Sequence, residues 1–292
     1  MLEAGFNQGD KIVMYADQTT SAENLVAQMG AIKAGVTIVT FDEKENQDAL
    51  DAALGSSQAK GLIFSPSTQM EDGKTTRGTF LSNLIPELST LRFGDEINSD
   101  KYPYLKTIVQ TEHQAFNGVN KFRDIGVYTT PSMSSRQIPE NQSDAVTHIA
   151  FEGSRQHEYT SSDMVDNAQR LWDSHLSQTK QAEHTNTPVF MPCDLETPFG
   201  FAAFLALSSN LKKVFIPGTF NVSQMLKSVP RQGSTFVVCD EDLYSVEMPS
   251  ASASTYQEMC SDVTGVLVAG NSSASSQLFK NARAEGVDKF LN

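Results

Sequence analysis

The chain has 292 residues, 39% of them hydrophobic, which is enough to bury one large or two modest cores. Its net charge of −13 excludes a broad basic surface for nucleic acid or anionic lipid, because phosphate binding is carried by Lys and Arg. Cys193, Cys239 and Cys260 show no C-x-x-C spacing, and His113, His148, His157, His175 and His184 show no metal-ligand spacing. Neither a disulfide framework nor a metal site is indicated, and a reduced compartment fits best.

In chain order, short apolar runs alternate with helical patterns, which predicts βαβ units around a largely parallel sheet. Lys11–Ala16 reads as a strand, Ser21–Ala34 as a helix with Leu25, Met29 and Ile32 on its buried face, and Val36–Phe41 as the next strand. Ser21 can cap that helix and Gly35 can end it. A helix over Asn46–Ser56 and a strand over Gly61–Phe64 follow, then an aperiodic polar surface loop from Ser65 to about Gly78.

A second irregular stretch, Thr129–Ser143, holds Pro131 and Pro139 and reads as a linker. It suggests a first α/β subdomain over 1–128, a linker region over 129–147 and a second α/β subdomain over 148–292. In the second, the pattern gives a helix over Ser161–Ser177, strands at Val189–Met191, Lys213–Ile216, Thr235–Val238 and Gly265–Ala269, and helices at Pro198–Ser208, Val222–Val229 and Ser273–Ala284. The longest apolar run, Phe199–Leu207, is far too short to span a bilayer and reads as a buried helix. The first ten residues carry neither an Arg-rich presequence nor a signal-peptide core, so either nothing was cleaved or the numbering begins after processing.

Several segments, in order, resemble the acyl-CoA synthetase and adenylate-forming (AMP-binding) ligase superfamily, particularly the mitochondrial medium-chain type called acyl-CoA synthetase family member 2. They are Gly5-Phe-Asn-Gln-Gly-Asp-Lys11, Gly30-Ala-Ile-Lys-Ala-Gly-Val36, Ala59-Lys-Gly-Leu-Ile63, Pro198-Phe-Gly200, Val214-Phe-Ile-Pro-Gly-Thr-Phe220, Gly233-Ser-Thr-Phe-Val-Val238 and Gly265-Val-Leu-Val-Ala-Gly270. The resemblance implies an α/β fold of two Rossmann-like βαβ subdomains, as in the N-terminal domain of those ligases.

The family's chemistry does not follow residue by residue. Where the family has a glycine- and hydroxyl-rich phosphate loop ending in lysine, this chain reads Glu152-Gly153-Ser154-Arg155-Gln156-His157-Glu158, with a single glycine and two acids. From Phe151 to Tyr159, taken as the lead-in to the next helix, is 8 positions, several fewer than the family pattern. No lysine lies between Lys121 and Lys180. A loop that grips phosphate needs glycines to turn N–H groups toward the anion and a cation to offset its charge. An ordinary strand-to-helix connection is the plainer reading.

Thr197 stands where the resemblance puts an acyl-site histidine, and Asp240-Glu241-Asp242 stand where it puts an apolar turn. The family's magnesium-binding glutamate, its ribose-binding motif and its C-terminal domain with the catalytic lysine have no counterpart through Asn292. Other constellations have bland readings: the Asp240 to Asp242 acids as a solvated turn, Cys193 and Cys239 as buried thiols, Ser272 and Ser273 as helix caps, and His157 as a surface residue.

The expectation is therefore a pseudoenzyme with no catalytic, cofactor-binding or metal residues and no cofactor. Its partners would be protein subunits of a larger assembly, with no nucleic acid and no transmembrane segment of its own. The resemblance suggests a mitochondrial location, with a respiratory complex as the candidate assembly, and otherwise a cytoplasmic one. Two alternatives are a module that binds acyl-CoA or nucleotide without turnover, and one half of a split acyl-CoA ligase.

Overall fold

The computed structural model describes residues 4–16, 21–41, 47–66, 75–92, 95–112, 116, 118–127, 143–152, 155–177, 188–210, 212–216, 236–240, 265–269 and 283–285. The chain divides into two compact units, Met1–Ser161 and Ser162–Asn292. The sequence pattern put this division at 129–147. The difference arises because Val146–Glu152 is a strand that pairs in parallel with Thr37–Phe41 of the first sheet. Residues 129–142 lie outside the described residues.

The first unit is built on β1 (Lys11–Tyr15), β2 (Thr37–Phe41), β3 (Gly61–Phe64), β4 (Thr107–Gln110), β5 (Asn120–Lys121), β6 (Val146–Glu152) and β7 (Arg155–Thr160). Their order across the sheet is β5-β4-β3-β1-β2-β6-β7. All neighbours are parallel except β6 and β7. The helices are α1 (Ser21–Lys33), α2 (Gln47–Ser57), α3 (Arg77–Leu84) and α4 (Phe122–Val127), with a 3-10 turn at Pro86–Thr90. Strand residues alternate between faces, so the sheet is covered on both sides. Val13 and Tyr15 pack with α2 and α3 through Leu50, Leu54, Leu81 and Leu84, whereas Ile12 and Met14 pack with Ala27, Ala31 and Ala34 beside α1.

The buried face of α1 is not the expected one. Asn24, Ala27, Gln28 and Ala31 point inward, and Gln28 donates to the Asn24 side chain at 2.6 Å. Small residues let the helix lie close to the sheet, leaving the bulkier stripe outside. Val26 is 61% exposed and Met29 46%, with Leu25 half-buried beside them, while Ile32, as expected, packs against the core cluster of Ala27, Ala31 and Ala34.

The opening segments of the family resemblance converge where β1, β2 and β3 begin. Lys60 Nζ lies 2.7 Å from Asp10 Oδ2 and donates to the Gly5 carbonyl at 2.7 Å. The Gly9 N–H donates to the Gly35 carbonyl at 2.8 Å, and Thr37 N–H to the Asp10 carbonyl at 2.8 Å. Gly35 has a φ of +70°, and a Cβ there would crowd the Gln8 side chain at 2.9 Å. Only glycine meets both demands.

At the opposite ends of these strands the chain leaves β1 toward one face, through α1, and leaves β3 toward the other, through α3. In a doubly wound sheet this reversal opens a crevice beyond the strand ends. Arg77 lies at the end of β1 there. Its Nη1 donates to the carbonyls of Tyr15 at 3.1 Å and Ala16 at 2.9 Å, and its guanidinium lies 4.4 Å from the Tyr15 ring centroid. Arg77 is 5% exposed. The segment read as loop through Gly78 thus starts a helix at Arg77, with Thr76 accepting the Thr79 N–H as its cap.

In the second unit, α5 (Ser161–Leu171) buries Met164, Asn167, Ala168 and Leu171 at helical spacing and runs into a π-helical turn, Trp172–Leu176. The sheet contains β8 (Val189–Phe190), β9 (Val214–Phe215), β10 (Phe236–Asp240), β11 (Gly265–Ala269) and β12 (Arg283–Glu285), in the order β12-β11-β10-β8-β9. Helix α6 (Pro198–Ser209) is the apolar helix expected from the sequence. The helix expected through Ala284 cannot extend that far, because Arg283 and Ala284 pair antiparallel with Val268 and Leu267. The helix read over 222–229 lies outside the described residues, as does the remainder of the one read from Ser273.

Two buried groups have measurable consequences. Replacing Arg77 by Met strips the Tyr15 and Ala16 carbonyls of a charged donor and is expected to cost about 2 kcal/mol in urea unfolding; a loss under about 0.5 kcal/mol would show that Arg77 contributes only bulk. His148 is buried in β6 with Nδ1 3.1 Å from Thr147 Oγ1, and burial pushes its pKa down to about 3 from the usual 6.5. The folded chain therefore keeps the ring neutral where the unfolded chain protonates it. The stability so gained is complete above about pH 6.5 and is lost as the pH falls toward 3, with a slope of up to about 1.4 kcal/mol per pH unit. His148→Gln is expected to flatten the pH dependence of unfolding between those limits, and an unchanged slope would contradict this assignment.

Candidate functional site

The stretch that the resemblance equates with a phosphate loop is the β6–β7 hairpin. Glu152 ends β6 and Arg155 starts β7, so only Gly153 and Ser154, which lie outside the described residues, separate the strands. The pairs are Glu152 with Arg155, Phe151 with Gln156, Ala150 with His157 and Ile149 with Glu158. Tyr159 is thus inside a strand that runs directly into the helix starting at Ser161, and it is buried against the sheet. The strand assignment follows from alternation, since Arg155, Gln156 and Glu158 are exposed while His157 and Tyr159 are covered.

His157 is not the bare surface residue suggested by sequence. Its side chain is 23% exposed, and Nε2 lies 3.6 Å from Glu152 Oε2. The two sit diagonally across the strands on one face, a spacing at which cross-strand side chains interact. Gln156 Nε2 donates to Glu158 Oε1 at 2.7 Å. An imidazole beside a carboxylate can exchange a proton, but among the described residues no hydroxyl or thiol is hydrogen-bonded to His157. The hairpin end offers the Glu152 carboxylate and an exposed Arg155 where a triphosphate would require converging N–H groups and cations, while Glu158, opposite Ile149, lines a depression with Gly9, Lys11 and Thr37 where the strands begin.

In the second unit, Thr197, at the position the resemblance gives to a histidine, is the N-cap of α6. Its Oγ1 accepts the Gly200 N–H at 3.0 Å and donates to the Asp194 carbonyl at 2.8 Å, with Pro198 at the first helical position. A Cβ on Gly200 would run into the Asp194 carbonyl oxygen. Cys193 is buried, and its Sγ donates to the Val238 carbonyl at 3.0 Å, which is the inert packing role expected of it. Asp240 is the last residue of β10, and Glu241 and Asp242 lie outside the described residues, as do Cys260, Ser272, Ser273, His113 and His184. The side chains of Cys239 and His175 are likewise outside them. Among the described residues no three His, Cys, Asp or Glu side chains gather to hold a metal ion, and no helix is long and apolar enough to cross a membrane.

Sequence reasoning missed Arg77 and the outward stripe of α1. Thr76 before Phe80, Leu81 and Leu84 was a usable capping-and-periodicity signal for α3. The destination of the guanidinium had no local signal, because its acceptors lie more than sixty residues away in the chain.

No protein-family model matches the sequence. The chain is 27% identical over 124 residues to the Bacillus subtilis (strain 168) protein named "Putative acyl-CoA synthetase YngI", an alignment covering 42% of this chain and 21% of that protein. Among solved structures, ATP-bound MatB from Rhodopseudomonas palustris superimposes with a TM-score of 0.63 at 13% identity, over 98% of this chain and 54% of that one. The anthranilate CoA ligase AuaEII in complex with anthranoyl-AMP gives 0.62 at 16% identity, over 92% and 50%. The long-chain-fatty-acid-CoA ligase FadD1 from Archaeoglobus fulgidus gives 0.60 at 10% identity, over 92% and 53%. The chain thus spans about a fifth of the curated relative and about half of these three structures. The sequence match makes part of this chain similar to an acyl-CoA synthetase, and the structural matches give it the α/β fold of the N-terminal domain of adenylate-forming ligases.

Proposed function

We propose that this chain is a non-catalytic member of that superfamily that acts as a structural or accessory subunit of a larger protein assembly. The observation that carries the reading is the two-residue link between β6 and β7. Adenylation draws its rate from donors and cations aimed at the phosphates. A hairpin that closes directly from Glu152 to Arg155 leaves no glycine-rich run of N–H groups there and sets a carboxylate against that substrate.

The retained motif residues support the same reading. Asp10, Lys60 and Gly35 lock strand beginnings together, and Thr197 and Gly200 start a helix. These are packing and capping roles, so selection for the fold alone preserves them while the loops that carry chemistry diverge. The outward stripe of α1 supports a subunit role, since contiguous exposed apolar side chains mark contact surfaces more often than single ones do. The resemblance to acyl-CoA synthetase family member 2 suggests a mitochondrial assembly, and a respiratory complex is the candidate to test first.

Two outcomes are expected. With saturating ATP, Mg²⁺ and medium- or long-chain fatty acids, the purified chain should give acyl-dependent pyrophosphate exchange no higher than a heat-killed control; exchange above that level would overturn the non-catalytic reading. Tagged in its native source, the chain should purify in stoichiometric complex with other proteins. Met29→Asp should release it from them while changing its own stability by less than about 0.5 kcal/mol, as for an exposed site. Undiminished recovery of the complex with this variant would exclude α1 as the contact.

A further inference from the structure

The N-terminal edge of the first sheet carries a feature that neither the ligase fold nor the subunit reading uses. Lys60 N–H donates to the Lys11 carbonyl at 2.9 Å, and Lys106 N–H donates to the Lys60 carbonyl at 2.8 Å. These backbone bonds set three lysines side by side at the starts of β1, β3 and β4, which are neighbours in the sheet. With strands about 4.8 Å apart, the row spans about 10 Å. It lines a depression of about 430 Å³ whose walls include Asp10, Gln58 and Tyr104, a size suited to a small ligand.

Like charges aligned across strands repel one another, and the carboxylates at hand offset only part of this row. Lys60 is held by Asp10 and the Gly5 carbonyl. Lys106 reaches Asn98 Oδ1 at 3.3 Å and Glu96, itself 66% exposed, at 3.7 Å. Lys11 has no acidic partner among the described residues. In a chain of net charge −13, three lysines gathered on one depression, with Lys11 outside any ion pair among the described residues, favour an anion there, although Glu158 borders the adjoining depression that Lys11 also lines. Tyr104, 54% exposed on the same wall, offers a ring face beside it, and aromatic faces stack on planar bases.

We propose that this depression is a binding site for a small phosphate ester bearing a planar ring, a nucleoside monophosphate being its simplest form. The lysines take the phosphate as point charges, Gln58 supplies an amide donor, and Tyr104 stacks on the ring. The site lies at the strand beginnings, at the other end of β6 from the hairpin and at the other end of β1 from Arg77.

The test is calorimetric titration of the full chain with UMP, uridine and inorganic phosphate at low and physiological salt. A uridine base keeps any adenine recognition elsewhere in the chain out of the readout. Saturable, salt-weakened binding of UMP is expected, with weaker binding of phosphate and none of uridine. The double variant Lys11→Gln, Lys106→Gln should weaken UMP at least about tenfold, Tyr104→Ala should reduce UMP to the level of phosphate, and Glu152→Gln should change nothing. Amide chemical-shift mapping on the unaltered chain gives an independent reading if a variant folds poorly, with shifts expected around Lys11, Lys60 and Lys106. The proposal fails if UMP does not saturate by about 10 mM, if uridine binds equally well, if the double variant binds as the unaltered chain does, or if the shifts map elsewhere.

Discussion

Everything in the first unit is arranged around a central strand that has no free side. β1 is paired in parallel on both edges and packed by helices on both faces, and Val13, Met14 and Tyr15 are fully buried. Parallel pairing brings strand beginnings together at one end and strand endings at the other. Polar groups that the chain needs near β1 must therefore sit at those ends or be matched with partners. Asp10 is matched by Lys60 where the strands begin, and the Tyr15 and Ala16 carbonyls are matched by Arg77 where they end. An unpaired charge at either place would carry a desolvation penalty comparable to a sizeable fraction of a domain's net stability.

That arrangement explains which family segments persist. The opening G-x-x-x-G-D segment, the A-G turn and the A-K-G segment are far apart in sequence and adjacent in space, each completing a hydrogen bond or ion pair of the others. Altering one leaves its partners unmatched, so the three are constrained together. The hairpin at the far end of β6 is under no such constraint. Its backbone is satisfied by cross-strand pairing whatever the side chains, so glutamates and a histidine are tolerated there at little cost to the fold.

The legible part of the fold was the part with local period. The apolar runs gave β1, β2, β3, β8, β10, β11 and α6 nearly to the residue, and helical period with the Ser21 and Gly35 ends gave α1. Errors came where pattern and environment separate. Leu25, Met29 and Ile32 have the spacing of a core face, yet of the three only Ile32 packs against the core and the sheet takes the alanines, because close packing rewards small residues that periodicity does not weigh. β7 reads as polar loop because an edge strand half in solvent carries few apolar residues. β12 is three residues long and exists only through its pairing with β11. Arg77 depends on contacts with a strand it never neighbours in sequence. As for the site, Thr197 as a substitution for a histidine was visible in the sequence, but its capping role needed the Asp194 carbonyl in place.

The two ends of the first sheet thus use their cations differently. In doubly wound folds ligands gather at the carboxyl ends of strands, where the chain reverses direction. In this chain a guanidinium at those ends has donors turned onto backbone carbonyls, and the β6–β7 hairpin carries Glu152 beside His157. A cation committed to the protein's own carbonyls is not available to an incoming anion, and added carboxylates raise the cost of bringing one in. Lys11, Lys60 and Lys106 lie where the strands begin, in a row fixed by sheet register. Register holds such a row as rigidly as the sheet itself, so its geometry persists for as long as β1, β3 and β4 stay paired.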